Sequence, residues 1–447
     1  MNSYRIKAFV AFLLLSCISL TLQAQTEATI DGIKYMLFNG DATVLQQSDT
    51  LKGDIVIPEK VKYEGTDYTV STLANQAFLN CWVTSITLPT TVKTWGEYCF
   101  AGCAELDSFQ IPATITALPV GCFQDCHKLK NIEIPSSITS IGDNCFNHCY
   151  WLKSISIPST IKTLGLQCFS DCSSLESIQL PSSLTKLGAD CFMNCTALSS
   201  ISIPNSVTQL GEECFIGCKN LQKVTLPSSL TSIPDGCFEN CSALTNITIP
   251  SSMKTLGAQS FWACSSLKSI VIPSGVTAIG NQCFEECSSL ASVEIPASVT
   301  SIDHLCFSNC KKLYSIRTHW HDLSKLTCNT NIFQNLLTNY VTLHVPLQTK
   351  ALYAATAPWS SLGIITEYDE NNPDAIEIVK ANEKIFTEGS TIVLSGCTKG
   401  ETIYFYTISG ALIGTVKANG SEVRFDTGLS HQVILVTHGD ENYKIAL

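Results

Sequence analysis

Charge is what this sequence has least of. Asp, Glu, Lys and Arg together make up 15% of its 447 residues, against 45% hydrophobic. A disordered chain needs the opposite balance, so the composition implies packed domains, with room for two or three. The few charges lean acidic, with a net charge of -11 and a pI near 5.2. That argues against nucleic acid or an anionic membrane as a general partner. Enzyme signatures are also missing: no His-Glu-x-x-His, Gly-x-Ser-x-Gly, P-loop or Gly-x-Gly-x-x-Gly occurs. No catalytic residue, cofactor-binding residue or cofactor is expected, and the chain is not read as an enzyme. Beyond residue 22 no apolar run approaches membrane length, so no transmembrane segment is expected.

The N-terminus reads as a leader. Arg5 and Lys7 precede an apolar stretch from Ala8 to Leu22, and Ala24 stands before Gln25. A basic start, a short apolar run and a small residue at the cut make residues 1–24 a secretory signal peptide. Leu14-Leu15-Ser16-Cys17 offers an alternative, a bacterial lipobox that would place a lipid on Cys17.

What the sequence has in abundance is a period. Proline recurs every 23 residues from Pro89 to Pro296, and Phe does so at Phe100, Phe123, Phe146, Phe169, Phe192, Phe215, Phe238, Phe261, Phe284 and Phe307. Phe78 precedes them by 22. Cys stands before Phe in nine of the ten, with Ser260 in the remaining one, and a second Cys follows three residues after every Phe. A fixed period of this length means stacked supersecondary units.

One unit shows the physics. Leu129, Ile132 and Ile134 alternate with polar residues as a short strand does, one face inward. Pro135 lacks an N–H and ends the pairing. Ile138 and Ile141 turn back inward, Gly142 permits a bend, and Cys145, Phe146 and Cys149 form a compact helical or 3₁₀ turn. No unit can bury its apolar edge alone, so neighbours must stack, with the Phe side chains as an internal spine.

The pattern Leu-x-x-Ile-x-Ile-Pro-x-x-Val-x-x-Ile-Gly-x-x-Ala-Phe-x-x-Cys resembles the BspA-like leucine-rich repeats of bacterial surface proteins. The match runs over about residues 66–318 in eleven Phe-centred units, with Cys replacing the usual Ala before Phe. The resemblance implies a β-rich leucine-rich-repeat solenoid with a β cap at residues 25–65 and a C-terminal cap at 319–368. Gly53 to Pro58 and Tyr68 to Val70 carry the first cap, and Val341 to Pro346, Tyr353 and Trp359 the second. Residues 369–447 depart from the period. Asp369-Glu370-Asn371-Asn372-Pro373-Asp374 reads as a linker, followed by strand-like runs separated by Gly-containing turns, a small all-β sandwich. Ile403 to Gly410 and Tyr443 to Leu447 resemble the C-terminal sorting domains of Bacteroidetes type IX secretion. Ser430-His431-Gln432 stands where those domains carry Gly-x-Tyr.

The repeated thiols, exemplified by Cys145, Cys149, Cys168 and Cys172, have three readings. They are core-filling small apolar residues, disulfides favoured by a secreted setting, or metal ligands. Parallel Cβ vectors do not naturally meet across rungs, which favours the first. His319-x-His321 beside Asp322 has a metal reading and a plain surface reading, with no third ligand fixed by sequence. The acidic residues beside the Cys-Phe turns, among them Asp125, Asp171, Asp190, Glu213 and Glu286, read as a solvated ridge or a calcium locus. No metal is expected.

Binding is expected on the outward strand positions. Gln110, Glu133, Ser156, Gln179, Ser202, Thr225, Thr248, Glu294 and Arg317 lie between inward residues and form one row along the solenoid. The resemblance implies a secreted or cell-surface protein that adheres to host or neighbouring-cell proteins through this surface. It also implies outer-membrane association through the C-terminal domain. A rigid spacer with no ligand and a glycan-binding accessory protein stand as alternatives. Glycan sites favour aromatic platforms, and this row has no Trp or Tyr.

Overall fold

A computed structural model of the chain describes residues 25–370, 385–388, 391–407, 412–428, 433–438 and 441–446. The leader with Cys17 lies outside the described residues, as do 371–374 of the linker, Ser409, Gly410, Ser430, His431, Gln432 and Leu447. The chain divides into two compact units: Met1–Ser315 with Lys325–Thr338, and Ile316–Ser324 with Asn339–Leu447.

The first unit opens with an antiparallel hairpin, Thr26–Ile30 against Ile33–Phe38, which continues into Asp41–Val44. Asp31-Gly32 and Asn39-Gly40 link these strands, all four with positive φ. Asx-Gly pairs adopt that region at low cost, and the resulting turn matches the twist of the strands it joins. Thr66–Leu73 lies parallel to Asp41–Val44, and Lys52–Val56 lies parallel to the first repeat strand, Trp82–Thr87.

From there the chain is a leucine-rich-repeat solenoid. Asn131–Glu133 pairs in parallel with Ser108–Gln110, and Ser154–Ser156 with Ser177–Gln179, each residue opposite its counterpart one period away. A second, two-residue strand on each path does the same, as in Ala117–Leu118 against Ser140–Ile141. Ile132, Ile134, Ile138 and Ile141 are buried, whereas Glu133 faces solvent. The corner at Gly142 leaves no room for a side chain, because a Cβ there would lie 2.6 Å from the backbone nitrogen of Val120.

The Cys-Phe segment is a turn whose backbone bonds run between rungs. Phe123 N donates to Cys145 O (2.9 Å), and Phe146 N to Cys168 O (2.9 Å). Within the turn Cys149 N reaches back to Phe146 O (3.2 Å), but His148 at the third position is left-handed (φ 59°), so the closure is a β-turn and not the helical or 3₁₀ turn the sequence suggested. Left-handed residues, Asn144 (φ 55°) before the turn and His148 within it, stop the segment from propagating into a helix. Asn, Asp and Gly fill most of the column that contains His148, as at Asn80, Gly102, Asp171 and Asn194, because they tolerate that conformation best.

The Phe rings form one continuous stack. Adjacent centroids from Phe78 to Phe307 lie 5.3 to 5.7 Å apart, with planes within 18° of parallel. The stack extends one turn beyond the strict period, to Phe333 at 6.1 Å from Phe307. Two thiol columns flank it, and every described Cys is a free thiol. The second column does more than fill space. Cys126 Sγ donates to Phe100 O (3.2 Å), Cys149 to Phe123 O (3.2 Å) and Cys172 to Phe146 O (3.2 Å), each one rung back. In the first column Cys99 and Cys122 approach to 3.5 Å between sulfurs, and Ser260 pairs with Cys283 at 3.2 Å. Burial pushes the Cys218 and Cys283 thiols up to about 12.

The second unit contains a parallel pair, Thr342–Pro346 with Ile364–Tyr368, and a short helix, Lys350–Ala354. Trp320, Tyr353 and Trp359 form its buried aromatic centre, where Tyr353 Oη donates to Trp320 O (2.9 Å) and accepts from Thr318 Oγ1 (2.9 Å). Further along, Ile385–Glu388, Thr391–Ser395 and Glu422–Asp426 form one antiparallel sheet. Leu412–Lys417, Thr402–Thr407, Val433–His438 and Glu441–Ala446 form another. Ile392, Leu394, Ile403, Phe405 and Val436, drawn from both sheets, share one buried cluster. No helix among the described residues is long and apolar enough to cross a membrane.

Candidate interaction surfaces

The outward strand positions of the first unit make a file of short polar side chains. Gln110, Glu133, Ser156, Gln179, Ser202, Thr225 and Thr248 are exposed, and Glu294 is half-buried. Backbone pairing holds neighbours in register, Glu133 beside Gln110 and Thr225 beside Ser202. Val271 interrupts the polar character, at 65% exposure. Thr248 lies outside any regular strand. Arg317 belongs to the second unit, where its guanidinium sits 4.6 Å from the centroid of the Tyr368 ring. A planar cation on an aromatic face is an intramolecular contact that a partner would have to displace.

His319 and His321 converge on one carboxylate that sequence spacing did not supply. Glu370 Oε1 lies 3.2 Å from His319 Nδ1, and Oε2 lies 3.1 Å from His321 Nε2. The hydrogen bond from His321, followed by that from His319, holds the Glu370 carboxyl below its ordinary range. No group of three or more His, Cys, Asp or Glu among the described residues is arranged to hold a metal ion.

The acidic residues beside the turns have backbone work to do. Asp125, Asp171, Asp190, Glu213 and Glu286 occupy left-handed positions. Asp143 Oδ1 accepts from Leu166 N (2.8 Å), and Asp235 Oδ1 from Ala258 N (2.8 Å), tying successive rungs together. Where carboxylates crowd, ionisation becomes harder: partial burial, then Asp190 and Glu212, raise Glu213 above its ordinary range.

A second surface escaped sequence reasoning. Tyr150 and Trp151 are 38% and 47% exposed. The His127 ring stacks on Tyr150 at 4.8 Å, and His148 lies 5.7 Å from it. His148 bridges two carboxylates, with Nδ1 2.7 Å from Asp125 and Nε2 3.5 Å from Asp171. Lys130 Nζ is 2.7 Å from Asp107 and 5.4 Å from the Trp151 ring. Partial burial, then Asp171 and Asp125, raise the Tyr150 phenol above its ordinary range. The signal was available in the sequence: these columns carry Ser173, Ser174, Thr196 and Ala197 in the next two rungs, and aromatics only here and at Trp82.

Comparison with known proteins gives one family match and three similar solved structures. The family model described as the BspA type leucine rich repeat region matches residues 71–199 and 185–314. A leucine rich cell surface protein from Faecalibacterium prausnitzii is 24% identical, with a TM-score of 0.52 over 78% of this chain and 97% of that one. The pneumococcal vaccine antigen PcpA is 19% identical, with the same TM-score over 78% of this chain and 99% of that one. A leucine-rich repeat protein from Bacteroides ovatus is 27% identical, covering 68% of this chain and all of its own, with a TM-score of 0.41. No curated protein matches the chain.

Proposed function

We propose, from the premise that this chain belongs to the BspA-type leucine-rich repeat family, that it is a secreted or cell-surface protein that binds other proteins. In this reading it is an adhesin for host or neighbouring-cell proteins and not an enzyme. The observation that carries the reading is the file from Gln110 to Thr225. Short polar side chains stand exposed on strands held in register by the solenoid backbone. Repeat proteins bind through such extended faces because the rigid backbone has already lost the entropy that binding would otherwise cost. The leader at residues 1–24 supports export. The C-terminal β module supports a sorting role in a Bacteroidetes host, with outer-membrane association through that module or through a lipid on Cys17.

The test uses the full chain against extracellular-matrix proteins and bacterial surface proteins. The variants are Glu133→Arg and Ser156→Arg, which place bulk and charge on the file without touching the core. Saturable binding weakened about tenfold or more by these variants supports the reading. Binding unaffected by them moves the site to another face. No protein binding by the folded chain leaves a rigid spacer as the function of the solenoid.

A further inference from the structure

The columns of this array repeat a narrow chemistry, and the rungs around Tyr150 and Trp151 break it. The equivalent positions one and two rungs on hold Ser173, Ser174, Thr196 and Ala197. Those rungs keep the same backbone pairing: Trp151 N donates to His127 O (3.1 Å), Ser174 N to Tyr150 O (3.1 Å) and Ala197 N to Ser173 O (3.2 Å). The fold therefore needs neither aromatic ring at this position. Two large adjacent rings left partly in water, in columns that elsewhere in the array hold small or charged and polar residues such as Ser173, Thr196, Lys219 and Asn220, point to a ligand.

The charges around the rings decide its class. Lys130 is engaged by Asp107 and lies against Trp151, and His148 is engaged by Asp125 and Asp171. Asp171 also accepts from Asn194 Nδ2 (3.1 Å). An anionic ligand would approach these carboxylates against repulsion. A cationic ligand would have to displace Lys130 from the indole and His148 from its two partners. A neutral ligand with an apolar face and a rim of hydroxyls has to do neither. A pyranose ring has that form: its C–H face packs on an indole or phenol, and its hydroxyls donate to a carboxylate that still has acceptor capacity.

We propose that the Tyr150–Trp151 surface is a binding site for uncharged pyranose glycans, separate from the strand file. The aromatic rings supply the platform, and the Asp171 carboxylate, with acceptor capacity beyond its bonds to Asn194 and His148, supplies the polar contact at its edge. The site gives the protein a second ligand class, reached at the turns and not at the strands.

The experiment is calorimetric titration of the full chain with neutral oligosaccharides of glucose, mannose and N-acetylglucosamine. Sialylated and sulfated glycans and a matrix protein serve as comparison arms. The double variant Tyr150→Ser with Trp151→Ser installs the residues of the following rung, and Trp82→Ser removes an exposed ring elsewhere. Saturable binding of a neutral oligosaccharide is expected, weakened about tenfold or more in the double variant and unchanged in Trp82→Ser. If the double variant melts early, Trp151→Ser alone carries the test. Three results would overturn the proposal: no neutral oligosaccharide bound by the folded chain, neutral binding unaltered by the substitutions, or Tyr150- and Trp151-dependent binding confined to charged glycans or protein. Glu133→Arg separates the two proposals, since it weakens protein adhesion at the strand file and leaves the glycan titration unchanged.

Discussion

Cys149 Sγ donates to the carbonyl oxygen of Phe123, 3.2 Å away and one rung back. The same oxygen accepts the amide of Cys126 at 3.2 Å, so the thiol supplies its second partner among fully buried side chains. Cys stands at this position in all eleven Phe-centred units, whereas the first column tolerates Ser260. Cys149→Ala should destabilise by about 1–3 kcal/mol, combining a lost donor with a small void. Chemical denaturation measures it, and an unchanged midpoint would contradict the role given to the thiol.

The thiols also predict alkaline sensitivity. Burial holds Cys218 and Cys283 at about 12 in the folded chain, while an unfolded thiol ionises near about 8.5. Below that lower value both states keep their protons and stability is unaffected. As pH rises from about 8.5 toward 12, the unfolded chain loses protons that the folded chain retains, so stability falls. The melting temperature should drop steeply between pH 8 and pH 11. Native protein should resist iodoacetamide under conditions in which unfolded protein is fully alkylated. A flat profile, or rapid native alkylation, would exclude buried neutral thiols.

Phe192 stacks between Phe169 at 5.6 Å and Phe215 at 5.4 Å. Phe192→Ala removes a ring from the middle of the spine and should cost about 3–5 kcal/mol. In a solenoid each turn contacts only its neighbours, so hydrogen exchange should quicken first in the rungs beside the substitution. Uniform acceleration along the first unit would argue against local coupling.

Glu213 carries a charge that the fold disfavours. Its raised pKa means that deprotonation is harder in the folded state, so its contribution is best at low pH and worsens as pH rises through that value. Gln167 and Gln259 occupy the same left-handed column, so Glu213→Gln fits the backbone. The variant should melt slightly higher at pH 7, by about 2 °C or less for a largely exposed group, with the gain vanishing near pH 4. A lower melting point at pH 7 would reverse the sign assigned here.

The 23-residue period made most of the solenoid legible before any coordinate was known. It marks the strand at Asn131–Glu133, the stop at Pro135 and the recurrence of Phe. Once residues one period apart are known to be neighbours, it also marks Tyr150 beside His127. The period does not mark that the pair reaches solvent, because the depth of a turn residue depends on how the turn folds over the rung below. Phe333 lay beyond the strict spacing, so the extra turn of the stack had no periodic signal. Where the period ends, contacts such as His321 with Glu370 and Arg317 with Tyr368 join residues with no sequence relation.

By itself the sequence determined the repeat, the inward and outward faces of each strand and the columns in which like residues stack. These follow from a periodic chain that must bury its apolar edge against its own next turn. Only the tertiary structure decided that the second Cys is a donor, that acidic residues hold left-handed backbone and bridge rungs, and that Tyr150 and Trp151 reach solvent among paired charges. Those properties depend on atoms one rung away and on the direction each backbone group faces, which a period alone does not specify.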